Sequence, residues 1–353
     1  MNQGARIKHA RESRGYSQTE LARLMGMPQA ALSRTENQEQ VDYQLLMKFS
    51  TVLGYPVSYF DKEPFRIRDN GTMHYRKRAS VKVKDLMKFD SHNNDLMIAI
   101  DALLDSIDIP ELDIPQITPT PELTPAAIAY NLRQALGLGM QPVDRIVHLL
   151  EKHGVIVYFL NPEGEASEKI DGFTARTEKG HTVILANGTK SNDRIRFTLA
   201  HELGHLVMHL RRGERPAESE DELEEQANQF AAEFLMPRDV CGRDFYGLKF
   251  RELAFWKRKW LVSKQAIIHR AAELGCITAS TAQYYYSTMS RIGERKQESV
   301  WVDCDRPVMV QKMVTLHRNA LGYSDEELTQ IMGLYPNQVV ESTPDSPKLK
   351  LSL

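Results

Sequence analysis

Cysteine is scarce in this chain of 353 residues. Cys241, Cys276 and Cys304 are scattered, odd in number and without C-x-x-C spacing. That excludes a disulfide framework and a cysteine zinc knuckle, and leaves free thiols in a reducing compartment. Long apolar runs are missing as well. No stretch approaches the length of a membrane span, and the polar start Met1-Asn-Gln-Gly has no apolar signal-peptide region. The expected location is therefore the cytoplasm, with no membrane partner. Nor is either charge in surplus. The net charge is −2, with 42% hydrophobic and 26% charged residues, an ordinary globular composition whose length fits two or three domains. The balance breaks only locally: residues 62–88 hold nine Lys or Arg against three Asp or Glu.

Against these absences stands one stretch dense in chemistry, Phe197-Thr-Leu-Ala-His201-Glu202-Leu-Gly-His205-Leu-Val-Met-His209. It sets His-Glu-x-x-His inside an apolar, helix-forming run. Two histidines four residues apart lie about 40° apart around a helix and one turn apart along it, so both imidazoles can reach one cation. Neutral imidazoles and carboxylates suit zinc, and Glu202 then stands beside the ion as a general base. The metzincin extension, a glycine and a later histidine at fixed spacing, is absent. His209 continues the row by one more turn, too far along a straight helix to close comfortably on the same ion. Its expected role is a histidine at the helix C-terminus, interacting with the macrodipole.

A catalytic zinc needs a third protein ligand and an open position. Downstream, Leu223, Ala227, Phe230, Ala231 and Phe234 recur at helical spacing and Pro237 ends the run. Glu224 and Asn228 are one turn apart on another side of that helix, the first a candidate ligand and the second a partner for a ligand histidine. Glu225 is the fallback ligand and Glu233 a weaker one; the alternative for these carboxylates is a solvated face, since residues 214–225 carry seven Asp or Glu. Tyr158, His181 and Tyr246 are unranked candidates for stabilising an oxyanion.

Residues 4–60 read as a compact set of short helices. Ile7 and Ala10 begin the first, Gly15 breaks it, and Ser17 with Glu20 makes a capping box. Leu21, Leu24 and Met25 face inward, Gly26 permits a tight turn, and Pro28 opens a further helix through Leu32 to Glu36. Outward Gln29, Ser33 and Arg34 complete a helix-turn-helix arrangement. Gln can read adenine, and Arg can read guanine or hold phosphate.

The run Gly15-Tyr-Ser-Gln-Thr-Glu-Leu-Ala-Arg-Leu-Met-Gly-Met-Pro-Gln-Ala-Ala-Leu-Ser-Arg-Thr-Glu-Asn37 resembles the XRE (Cro/lambda-repressor-type) DNA-binding domain over about sixty residues. The resemblance implies Gln18 near phosphate, Gln29 and Ser33 at base edges, and Arg34 at base or backbone of double-stranded operator DNA. Thr35 stands where that family usually has an apolar residue, and Gln38 replaces the usual glycine after Asn37. Farther on, Asp171-Gly-Phe-Thr174, Ile184-Leu-Ala-Asn187, Arg196 to His205 and Glu224 to Pro237 resemble the ImmA/IrrE family of bacterial zinc metallopeptidases over roughly residues 122–290. This implies Zn2+ on His201, His205 and Glu224, Glu202 as catalytic base, and regulated cleavage of a repressor protein. In relatives the peptidase and its target are often separate proteins, whereas here a repressor-like and a peptidase-like half share one chain.

The expected fold is mainly α with a small β-sheet. An N-terminal five-helix helix-turn-helix domain (1–61) is followed by a basic connector, amphipathic helix and Pro-rich linker (62–121). An α+β zincin-like metallopeptidase domain (122–290) and a helical C-terminal region (291–353) complete it. Arg66, Arg68, Arg76, Lys77, Arg78, Lys82, Lys84 and Lys88 in the connector suit either phosphate contacts or a charged interdomain face. Five prolines between 110 and 125 predict a stiff, extended linker. Strands are expected at 155–160, 172–176 and 181–186, where an extended peptide can add to the sheet edge. In the tail, Tyr323-Ser324-x-x-Glu327-Leu328-x-x-x-Met332-Gly333 repeats the pattern of Tyr16 to Gly26, which suggests a packing or dimerisation module. The reading is a homodimeric, DNA-binding transcriptional regulator with a zinc metalloendopeptidase domain. The alternative is a non-proteolytic prophage or toxin–antitoxin type repressor whose metal-binding domain senses a ligand or zinc.

Overall fold

The computed structural model describes residues 2–62, 81–210 and 218–340. Four short helices open the chain: α1 (Gln3–Ser13), α2 (Gln18–Met25), α3 (Gln29–Thr35) and α4 (Tyr43–Leu53). A 3-10 turn at Val57–Asp61 makes the fifth. The capping box at Ser17 and Glu20 is formed, and Gly26 ends α2 in the left-handed region at φ 65°. Ile7, Ala10, Leu21, Leu32, Leu46 and Phe49 close the core beneath. Both departures from the repressor pattern are accommodated. The Thr35 hydroxyl donates to the Ala31 carbonyl at 3.0 Å, so a buried hydroxyl replaces an apolar group without losing its hydrogen bond. Gln38 takes an ordinary negative φ, so no glycine is required there.

Helix α5 (Val83–Leu103) starts eight residues earlier than its apolar pattern suggested. It lies between α1 and the back of the sheet. On the first side Arg6 meets Asp95 at 3.1 Å, and the Tyr55 and Tyr59 hydroxyls each donate to Asp95 at 3.2 Å. Burial opposes charge on the Asp95 carboxylate, but His9 and Arg6 outweigh it and hold the group below the usual carboxylate range. On the second side Phe89 packs edge-on against Phe173, and Lys82 and Lys88 pair with Glu165 and Glu163. Those two connector lysines therefore serve a face between the halves. Arg66, Arg68, Arg76, Lys77 and Arg78 lie outside the described residues.

The second half contains α6 (Pro125–Ala135), α7 (Ile146–Lys152), β1 (Ile156–Leu160), α8 (Gly164–Lys169), β2 (Gly172–Arg176), β3 (Thr182–Asn187), α9 (Asn192–Met208), α10 (Glu220–Leu235) and α11 (Arg238–Asp244). Helices α12 (Leu253–Trp260), α13 (Lys264–Glu273) and α14 (Ala279–Arg291) follow. The strand order is β1-β3-β2, with β1 parallel and β2 antiparallel to β3. Both faces are buried. Val157, Phe159, Ile184 and Ala186 join the core under α9, while Ile156, Tyr158, Phe173, Ala175 and Leu185 join the core shared with α5 and the N-terminal helices. Among the described residues no helix is long and apolar enough to cross a membrane.

The Pro-rich run has no regular secondary structure before the helix at Pro125, but it does not swing free. Ile114 is buried, the Ile117 amide donates to the Val207 carbonyl at 2.8 Å, and Gln116 donates to the Leu210 carbonyl at 2.8 Å. It is strapped to the end of α9. The tail forms α15 (Met309–Asn319), α16 (Asp325–Met332) and α17 (Pro336–Val339). The repeat seen in sequence is structural. Ser324 and Glu327 form the same capping box as Ser17 and Glu20, and Gly333 has φ 68° against 65° for Gly26. Leu328 and Val339 are buried where Leu21 and Leu32 are. Ser58 and Lys62 donate to the carbonyls of Thr329 and Ile331, tying this second unit to the end of the first.

Candidate metal centre and DNA-reading face

Helix α9 carries His201 and His205 on one side, and α10 brings Glu224 to the same place. Gly204 makes this approach possible, because a Cβ there would stand 3.0 Å from the Phe230 ring. The buried Arg196 anchors α9 at its other end, donating to the carbonyls of Leu261, Asp144 and Val143. The resulting triangle is tight. His201 Nε2 lies 3.0 Å from His205 Nε2 and 3.5 Å from a Glu224 oxygen, and His205 Nε2 lies 3.1 Å from the other Glu224 oxygen. It forms a metal-competent cluster of His, Cys, Asp or Glu among the described residues.

The hydrogen-bond partners around the triangle suit one set of imidazole tautomers. Asn228 Oδ1 sits 3.0 Å from His201 Nδ1, where it can accept a proton from Nδ1 and leave the lone pair of Nε2 turned inward. Gln226 Oε1 likewise takes the Nε2 proton of His209 at 2.9 Å. With that tautomer His209 Nδ1 can accept from His205 Nδ1–H at 2.9 Å, which leaves the Nε2 lone pair of His205 turned inward as well. Two imidazole lone pairs and a carboxylate converge within 3.5 Å, a donor set that a cation satisfies. A tetrahedral ion about 2.0–2.1 Å from each ligand sets the ligand atoms about 3.3 Å apart, so these residues fit zinc.

His209 is indeed the C-cap of α9. Its contact, however, is with His205 rather than with the helix dipole as a cation. Burial pushes its pKa down to about 4, with His205 adding to the effect; burial also lowers that of His205. The other carboxylates part company with the triangle. Glu225 is exposed, and Glu233 is buried in an ion pair with Arg270. Of the oxyanion candidates, Tyr158 is buried on the far face of the sheet, His181 lies in the β2–β3 turn, and Tyr246 is 84% exposed.

Glu202 is fully buried, and Thr174 Oγ1 donates to its carboxylate at 2.7 Å. Thr174 pairs across the sheet with Ile184, so it faces α9 with the side chains of that row. Gly172 lets β2 come this close, since a Cβ there would stand 2.6 Å from Thr198. The pattern Asp171-Gly-Phe-Thr174 held this signal, but nothing local to it points to a helix 28 residues later. Asp171 itself pairs with Arg194, and Asn187 donates to the Ser167 and Ile170 carbonyls, which fixes the turns flanking the sheet.

At the other end of the molecule, Gln29 and Arg34 are exposed on α3, with Ser33 half-buried between them. Gln29 donates to Gln18 at 2.7 Å, Gln18 donates to Glu36 at 2.7 Å, and Glu36 accepts two bonds from Arg11 at 2.6 and 3.1 Å. The sequence reading missed this chain. Arg11 and Glu36 are buried and 25 residues apart, so only the folded core brings them together.

Fold and geometry together define a helix-turn-helix protein that carries a peptidase-type domain built on His-Glu-x-x-His. Family comparison agrees in both halves: residues 7–60 match the Helix-turn-helix family and residues 150–272 match the IrrE N-terminal-like domain. The chain thus joins an XRE-type helix-turn-helix domain to an ImmA/IrrE-like peptidase-family domain. No curated protein matches it.

Proposed function

We propose that the protein is a cytoplasmic, homodimeric transcriptional regulator whose second half is a zinc-dependent endopeptidase acting on a repressor-type protein. The observation that carries the enzymatic reading is the convergence of both histidine Nε2 atoms and the Glu224 carboxylate on one point beside a buried Glu202 held by Thr174. His201, His205 and Glu224 would hold zinc, which when bound supplies Lewis acidity toward the scissile carbonyl and its attacking water. Asn228 and His209 orient the two imidazoles. Glu202 takes the proton from water and delivers it to the leaving amine. Thr174 fixes one oxygen of that carboxylate and so sets its direction. Strand β2, an edge strand carrying Thr174, offers a rim on which an extended substrate can align. On the DNA side, Gln18, Gln29, Ser33 and Arg34 read and hold an operator, with Glu36 and Arg11 steadying the two glutamines.

The experiment compares new protein N-termini in cells that express the wild type or Glu202→Gln. We expect a few Glu202-dependent cuts, concentrated in helix-turn-helix proteins. Identical N-terminal profiles would reject the peptidase. One observation favours a second reading, in which the metal domain controls DNA binding without cleavage: α5 packs against both halves at once. Operator binding that follows zinc loading equally in the wild type and Glu202→Gln selects this alternative.

A further inference from the structure

We propose that the large groove beside the metal centre is a cleft for an acidic peptide segment, which makes acid-rich stretches of a protein the substrate class; the inference rests on the peptidase reading above. The groove encloses about 1710 Å³, more than the roughly 300–1,000 Å³ of a small-molecule pocket and enough for several residues of chain. It begins at Phe197 and Asn228, the two residues that flank the His201 ring, and extends to α13, α14 and the segment 295–301.

Its unpaired charge is positive. The lining holds six Lys or Arg against four Asp or Glu, and Glu233 and Asp171 outside it pair with two of the six. Most of these groups cancel internally. Lys257 is buried against Asp193 and Glu298, Arg270 against Glu233 and Glu273, and Arg194 pairs with Asp171. Arg238, Arg295 and Lys296 remain, exposed and with no ion pair among the described residues, against Glu225 alone. Cations that folding does not use, around a cleft leading to the metal ligands, select carboxylates on what enters. Trp301, 71% exposed in the same lining, adds a flat apolar anchor of the kind that dominates peptide interfaces.

The test uses full-length, zinc-loaded Glu202→Gln, which keeps the proposed ligands but does not turn over. Three fluorescein-labelled dodecapeptides share one Leu/Phe/Ala frame and carry four Glu, four Gln or four Lys. Anisotropy should show the Glu peptide binding at least tenfold more tightly than the Gln peptide, with an advantage that shrinks as salt rises. The double charge reversal Arg295→Glu/Lys296→Glu should abolish that preference and favour the Lys peptide. Equal binding of all three, no binding, or a preference that survives the reversal overturns the proposal. Displacement of the Glu peptide by a single-stranded oligonucleotide, lost on the same reversal, reassigns the groove to nucleic acid and overturns it too. Cleavage of the same peptides by the wild type is scored separately. A Glu preference in binding without Glu202-dependent cleavage supports the cleft while rejecting the peptidase reading.

Discussion

Single hydrogen bonds decide what the candidate centre can do, and two of them separate orientation from ligation. The His209 side chain meets His205 at Nδ1, away from the triangle, so His209→Ala should leave zinc bound but weaken it about 10–100-fold, as loss of an outer partner of a ligand histidine does. Competition with a chromogenic chelator measures this, and complete loss of zinc would make His209 a ligand. Thr174→Val removes the hydroxyl on Glu202 while preserving shape. A hydrogen bond to a charged group contributes about 1.5–3 kcal/mol, so turnover should fall roughly ten- to a hundredfold with zinc content unchanged. Unaltered turnover would mean that Glu202 is positioned by something else. On the DNA side, Gln29→Ala should relax preference at one base pair at a cost of roughly 1–3 kcal/mol. Selection from a randomised operator reads that directly.

Among the elements, α9 and α10 were the most legible in sequence. The apolar period from 223 to 234 and the histidine spacing both survive folding because each is a local property of one helix, and Asn228 meets His201 as its position one turn from Glu224 suggested. Thr174 and the Arg11–Glu36 pair were not legible, since each joins residues far apart in the chain that only strand register or core packing brings together. The Pro-rich run shows the limit of composition. Proline dictates an extended backbone, but whether that backbone is a hinge or a strap depends on Ile114 and Ile117, whose burial sequence alone does not reveal. Helix α5 was the largest surprise, because its polar Asp95 and Asn94 are buried rather than solvated. Removing one partner of a buried ion pair leaves an uncompensated charge, so Asp95→Ala should destabilise the protein by roughly 3–5 kcal/mol. Denaturant unfolding checks the value; a change under 1 kcal/mol would mean that Arg6 and the two tyrosines hold α5 without it.

For the whole molecule, the two halves share a core instead of hanging on a linker. Strand β2 feeds Thr174 to the metal side and Phe173 to the α5 side, so one strand belongs to both centres. The strap at 110–125 lies against α9 with its backbone engaged, and proline removes N–H groups that strand-like substrate binding requires. Self-cleavage there is therefore not expected. Intact mass of zinc-loaded protein after prolonged incubation should remain that of the full chain, whereas a Glu202-dependent fragment pair would show that the substrate is the chain itself. The catalytic expectations depend on one ion at one place. Elemental analysis of purified wild type, Glu202→Gln, His201→Ala and Glu224→Ala tests that dependence most directly. One zinc per chain is expected in the first two and little or none in the last two; full occupancy in His201→Ala or Glu224→Ala would rule out this ligand set.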